Sequence, residues 1–551
     1  MPIPRWQLSL ASAVAKLTDR GPLRTGRAPW RRDALAVLAL GVGTALYAAF
    51  LVRWALHPFE DAAILMRYSL HLAEGHGVVW NVGEPPVDGA TDFLFMAVVA
   101  FLGWLGMTIE AAVRLVGITS HFVAVFVVYW AVRRLQRGRW WMAAVSAAYL
   151  AVGPGLRYAS AYFGTPFFAL FALLTWLAAW RLACEGWSLR RGLTFALLGL
   201  VTGLTRPEGV FLAVFMLLAV LWLGGPKAHW RSVASFAAVF AVFGGAYFLW
   251  RWNYFGHPLP NPYYKKGGGT LHLSGLISSI HGSLRFALPF ALPFIAGLRW
   301  RRTARLVVFA LIPIGGFVGI WVLLSDAMNY LWRFQYAVVP LVVTSWVPLV
   351  EGVFEEWRLP RWWEISRRSQ RLLILLGSVV FLWLLVYHHR MSRLPIRFGD
   401  GNHAVAMVLR DYREKGYVLA ATEAGLLPYY SGWRAVDPWG LNDPWVARHG
   451  VTEEYLDRFR PHVVMFHAYF SPLVEPVARN EWDEMVMVLR DYARKRGYVF
   501  AACFGETPFD THHYYVRADF PDSSEIVRRI RQVRYTWMST GRVCVNFAPQ
   551  P

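Results

Sequence analysis

Apolar runs recur along most of this chain, at residues 33–55, 110–132, 139–153, 165–183, 191–205, 207–224, 232–250, 276–298, 304–324, 334–350 and 371–388. A bilayer span needs about 20 apolar residues, fewer where neighbouring helices cover its ends, so the pattern predicts about eleven transmembrane helices. The run at 91–107 is ambiguous, and the basic clusters decide it. RRLQRGR (133–139), RLACEGWSLRR (181–191), PKAHWR (226–231), RWRRTAR (299–305) and EEWRLPRWWEISRRSQR (355–371) share one side only if 91–107 does not cross completely. That run is therefore read as a re-entrant or interfacial hairpin. Residues 1–32 become a cytoplasmic tail and 33–390 a transmembrane domain. The loops at 57–109, 154–165, 251–275 and 325–333 share the outer face with everything after His388.

From residue 391 to 551 the pattern changes. Short strand-like runs (YVLAATEAG, PHVVMFHAYF, YVFAACFG, HHYYVRAD) alternate with helical stretches such as EWDEMVMVLRDYARKRG. This part reads as a soluble extracytoplasmic α/β domain.

Composition agrees: 56% of the 551 residues are hydrophobic and 17% charged, against about 45–50% and 25% in soluble domains. The 28 Trp and 24 Tyr suit interfacial belts. A net charge of +21 is accounted for by basic residues crowding cytoplasmic loops, so nucleic acid is not expected as a partner. Cys184, Cys503 and Cys544 have no metal-ligand spacing; Cys503 and Cys544 either pair or stay as free thiols.

The first outer loop opens with two adjacent carboxylates, Glu60 and Asp61, after Pro58. EDAAILMRYSLHLAEG predicts a helix stopping at Gly75, with Asp61, Leu65, Tyr68 and Leu72 on one face and Glu60, Arg67 and His71 on another, able to float at the interface. An N-cap would explain Asp61 and a first-turn acid Glu60. Other outer loops add Arg206 and Glu208 in TRPEG, Tyr263, Tyr264, Lys265 and Lys266 in GHPLPNPYYKKGGG, and Asp326 and Arg333 in SDAMNYLWRF. Singly, each reads as a snorkelling anchor, a loop or a surface ion pair. Together on one face they form a set able to hold a lipid-borne phosphate beside a proton acceptor. Arg67, Asp88, Asp92 and Asp437 are candidates for acceptor binding or support. His57, His71 and His76 match no standard ligand set, so no metal ligands are assigned.

The succession EDAAILMRYSLHLAEGHGVVWNVGE, YASAYFGTPFFALF, GLTRPEGVFLA, YFGHPLPNPYYKKGGG, DAMNYLWRFQYAVVPL and AVDPWGLNDPWVARHG resembles the GT-C glycosyltransferases related to the mycobacterial terminal arabinofuranosyltransferase. The likeness runs from about residue 57 to 450. It implies a polytopic membrane enzyme that moves a sugar from a polyprenyl-phosphate donor to a glycan or protein acceptor outside the cytoplasmic membrane. In that family an acidic pair, usually two Asp, supplies the base; here the pair is Glu60 and Asp61, and either can serve. A second family acid is replaced by Thr165 in YFGTP. No cofactor is required, and a divalent metal bridging the donor phosphate and Asp61 stays open.

The chemistry expected is a single inverting displacement, with the acid pair as base and Arg206, Lys265, Lys266 or Arg333 neutralising the phosphate. The alternative is a transporter or flippase for lipid-linked glycans. Transport pathways usually bury ionisable groups near the bilayer midplane, whereas here most span centres lack charge.

Overall fold

The computed structural model of the protein describes residues 29–51, 56–357, 366–391 and 399–549. Most of the expected N-terminal tail, part of the 355–371 basic cluster and the first residues of the expected C-terminal domain lie outside the described residues.

Every one of the eleven apolar runs contains a helix. Eight helical segments among the described residues are long and apolar enough to cross a bilayer, and the chain is a multi-pass membrane protein. The other three expected spans, Trp140–Ala151, Leu189–Thr205 and Glu208–Gly224, are shorter. At 1.5 Å per residue they rise about 18 to 25 Å, less than the roughly 30 Å of a hydrocarbon core. Two of them meet at Arg206-Pro207, where proline interrupts the helix. They pack on Thr165–Glu185, and the Thr175 and Thr202 hydroxyls bond at 2.8 Å.

The ambiguous run forms Phe93–Trp104, a 12-residue apolar helix. It lies beside Glu60–Ala73, where Ser69 Oγ donates to the Met96 carbonyl at 3.2 Å. Residues on either side of the first loop meet again, since Arg114 Nη2 donates to the Leu56 carbonyl at 2.7 Å. At the other end of the bundle Arg133 pairs with Asp33 at 2.6 Å and Arg302 with Glu355 at 3.2 Å.

Residues 400–549 build a six-stranded sheet with strands β1 Val418–Ala421, β2 Arg434–Val436, β3 Val463–Ala468, β4 Val499–Thr507, β5 Asp510–Val516 and β6 Val545–Asn546. Their order is β2-β1-β3-β5-β4-β6. β2, β1 and β3 run parallel, whereas β5 is antiparallel to both β3 and β4, and β6 to β4. Helices Gly401–Arg410 and Ser523–Arg531 bury Val405, Leu409, Ile526 and Ile530 on one face. Helices Glu453–Phe459 and Glu481–Lys495 bury Leu456, Val486 and Leu489 on the other.

Instead of floating at an interface, Glu60–Ala73 is covered on both sides. Met66 and Tyr68 are fully buried, and the α/β unit packs on the polar face. Arg67 explains why that face can be buried. It donates to the carbonyls of Trp80 at 2.8 Å and Trp433 at 2.9 Å, to Asn81 Oδ1 at 3.0 Å and to the Pro428 carbonyl. A buried guanidinium is tolerable when its N–H groups are spent in this way.

Candidate functional site

Glu60 and Asp61 are the first two residues of their helix, after Phe59 in extended conformation. Consecutive helical residues point about 100° apart, so the two carboxylates meet different partners. Asp61 Oδ2 accepts from Arg333 Nη2 at 2.6 Å. Glu60 accepts the Leu426 N–H at 3.1 Å and the Gly425 N–H, in the turn that follows β1. Asp61 is therefore not an N-cap; that position is Phe59, without a side-chain cap. Burial, reinforced by Glu423 and Asp400, pushes the Glu60 carboxyl well above the usual range against those two N–H bonds.

Arg333 is buried and lies over the Phe163 ring at 4.0 Å, with Phe334 at 5.0 Å. The loop that carries it holds two non-glycine residues in left-handed conformation, Met328 (φ 64°) and Trp332 (φ 55°). Such positions cost about 1–3 kcal/mol each and cluster at functional sites. Asn329 pins the loop, its Oδ1 accepting from the Phe334 N–H at 3.2 Å and its Nδ2 donating to Gln335 at 2.8 Å. Arg206 lies over the Phe334 ring at 4.9 Å. It bonds Asp92 and Glu208 at 2.7 Å each. Burial raises the Asp92 carboxyl against the pull of Arg206.

Lys266 shares this chamber. Burial holds its pKa below the ordinary lysine value; Asp61 opposes the shift, and Arg333 and Arg206 add to it. Its ammonium reaches the Ala327 carbonyl at 3.5 Å, and it has no carboxylate partner among the described residues. Arg333 Nε is a buried donor without an acceptor among the described residues. Six residues singled out from sequence, Asp61, Asp92, Arg206, Glu208, Lys266 and Arg333, thus form one cluster.

The remaining candidates lie elsewhere. Lys265 points away from the chamber, pairing with Glu481 and lying 4.0 Å from the Trp439 ring. Tyr264 packs under Arg448 at 4.8 Å, and Tyr263 covers the glycine run at Gly268. Asp326 approaches Ser274 Oγ at 3.5 Å. Asp88 pairs with Arg251. Asp437 organises its own loop, accepting N–H groups of Trp439, Gly440 and Asn442 at 3.0, 3.1 and 2.8 Å. With Arg67, these residues join the first loop to the α/β unit: Asn442 Oδ1 accepts from Tyr68 at 3.1 Å, and Asn261 donates to the Gly440 carbonyl at 2.7 Å.

Of the three loop histidines, His57 stacks on His403 at 4.5 Å, while His71 bonds the Val79 carbonyl at 2.9 Å and has His76 as a ring neighbour at 6.4 Å. Cys503 and Cys544 are free thiols. Sequence reasoning missed the aromatic walls Phe163 and Phe334, although both lie inside quoted motifs. It also missed Glu423 and Asp400, whose approach to Glu60 depends on how the α/β unit docks.

Residues 388–536 match a domain of unknown function, DUF8728. No curated protein matches the sequence. Among solved structures, ArnT from Cupriavidus metallidurans in the apo state aligns at 14% identity with a TM-score of 0.50, over 87% of this chain and 98% of that one. ArnT from the same organism bound to undecaprenyl phosphate aligns at 14% identity and 0.48, with the same coverage. The Archaeoglobus fulgidus oligosaccharyltransferase complex with zinc and sulfate aligns at 13% and 0.46, over 88% and 74%. The likeness to apo ArnT establishes a GT-C fold for this chain.

Proposed function

We propose that the chain is an inverting glycosyltransferase that takes a sugar, arabinofuranose in the reading the resemblance implies, from a polyprenyl-phosphate donor. The acceptor is a glycan or a protein, on the outer face of the cytoplasmic membrane. One observation carries the reading: beside Asp61, among the described residues, the Lys266 ammonium has no carboxylate partner and the buried Arg333 Nε no acceptor. Buried donors are seldom left unpaired, and a phosphate is the ligand they suit.

In this mechanism the phosphate sits against Lys266 and Arg333, with Arg206 held behind by Asp92 and Glu208. Asp61 accepts the proton of the acceptor hydroxyl while its oxygen attacks the anomeric carbon. The carbon–phosphate oxygen bond breaks, and the charge developing on the departing phosphate falls to Lys266 and Arg333. Glu60, held by backbone N–H groups of the α/β unit, positions the start of the helix. Every carboxylate of the chamber is already paired with a guanidinium, a donor set suited to an anion more than to a divalent cation, so no metal is assigned there.

The test uses synthetic polyprenyl-phosphate sugars and purified protein. Asp61→Asn should lose transfer while keeping donor binding. Unchanged transfer by Asp61→Asn would reject the assignment, and a chain that only moves lipid-linked glycans would show no transfer at all.

A further inference from the structure

The α/β unit carries a second group of converging side chains. β3 and β5 are antiparallel neighbours in which His467 and His512 stand directly opposite each other, a register that brings side chains within about 5 Å. Glu423 follows the end of β1, the parallel neighbour of β3. Ligand atoms of Glu423, His467 and His512 all lie within 4.8 Å of one another. His467 Nδ1 is 3.4 Å from Glu423 Oε1. That is the spacing of two ligands on one tetrahedral ion with bonds of about 2.0–2.1 Å. The cluster lies where the parallel strands β1 and β3 end, the edge at which open α/β sheets commonly bind ligands.

Each imidazole is also held from behind. His467 Nε2 bonds Asp510 Oδ1 at 2.6 Å, and His512 Nδ1 bonds the Tyr535 hydroxyl at 2.6 Å. Metal-binding histidines almost always carry such a partner on the other ring nitrogen, which fixes tautomer and orientation. Here it leaves His467 Nδ1 and His512 Nε2 as the ligand atoms. His512 is buried and the other two are half-buried, so the group is set into the fold while retaining access. Trp482, Trp537 and Tyr469 surround His467.

We propose that Glu423, His467 and His512 bind one divalent transition-metal ion, with Asp510 and Tyr535 orienting the two imidazoles. Two neutral imidazoles and one carboxylate suit Zn²⁺ and leave a fourth position open for water or an oxygen of a bound molecule. Hard cations such as Ca²⁺ and Mg²⁺, which take oxygen ligands, do not suit this set. The ion would also fix the turn after Glu423, whose Gly425 and Leu426 N–H groups hold Glu60.

The experiment uses full-length, tag-free protein in detergent, stripped with chelator, equilibrated with Zn²⁺ and freed of excess metal by gel filtration. One zinc per chain is expected by mass spectrometry. Zinc-edge X-ray absorption of the wild type should give two imidazole nitrogens and a carboxylate oxygen at about 2.0–2.1 Å. Tyr535→Phe should weaken Zn²⁺ binding about 10–100-fold, and His467→Gln with His512→Gln should abolish it. A wild type that retains no zinc, a spectrum without imidazole ligation, or a double variant binding zinc as tightly as the wild type would overturn the proposal. The absorption measurement needs no variant to fold.

Discussion

Replacing Lys266 with Gln removes the cation of the chamber that has no carboxylate partner among the described residues. Arg206 and Arg333 are committed to Asp92, Glu208 and Asp61, so neither can take over its contact. One charge-assisted hydrogen bond is worth about 1.5–3 kcal/mol, which predicts a fall in kcat/KM of about 10–150-fold. The pH profile gives a second handle. Folding holds the Lys266 pKa below its ordinary value, so between the two values the unfolded chain binds more protons and folding stability rises with pH. Phosphate binding needs the ammonium, so donor affinity falls across the same window. Lys266→Arg, charged throughout, should lose that alkaline limb. The assay is transfer from a synthetic polyprenyl-phosphate sugar between neutral and alkaline pH. A Lys266→Gln variant within threefold of wild type, or a Lys266→Arg variant with the same alkaline limb, would refute the reasoning.

The two acids should separate cleanly: Asp61→Asn should lower kcat about 10²–10⁴-fold, while Glu60→Gln, which keeps an acceptor for Gly425 and Leu426, should change transfer less than about threefold and stability by about 1 kcal/mol; equal losses would argue against Asp61. Arg67→Met orphans the carbonyls of Trp80, Pro428 and Trp433 and should cost about 3–5 kcal/mol, read as a lower thermal midpoint and faster proteolysis of the α/β unit. Gly440→Ala, at φ 91° and with the Ala447 N–H 2.6 Å from the new methyl, should destabilise by at least about 1–3 kcal/mol, with donor affinity unchanged in the fraction that stays folded.

Much of the helical layout was legible because span-length apolar runs leave little choice of secondary structure. The three shorter runs, 139–153, 191–205 and 207–224, match helices Trp140–Ala151, Leu189–Thr205 and Glu208–Gly224 to within about two residues; their shortness was already in the runs themselves. Four of six strands, β1, β3, β4 and β5, stood out as apolar runs; β2 and β6, at three and two residues, are too short to show a period. The chamber was legible as a list of loops but not as a geometry. Nothing in PYYKK separates Lys266 from Lys265, yet helix Asn261–Lys265 turns one toward Arg333 and the other toward Glu481. The different surroundings of Glu60 and Asp61 were likewise invisible in sequence, because Glu60 meets the Gly425 and Leu426 N–H groups only through long-range docking of the α/β unit. His467 and His512 are far apart in sequence and meet only through the β3/β5 register.

The central claim is that this chamber receives a lipid-borne phosphate beside Asp61. A cryo-electron microscopy structure with a bound polyprenyl phosphate tests it most directly. Phosphate oxygens about 2.7–2.9 Å from Lys266 Nζ and Arg333 Nε, facing Asp61, are the predicted result. A phosphate held elsewhere, with both nitrogens beyond hydrogen-bond reach, would contradict it.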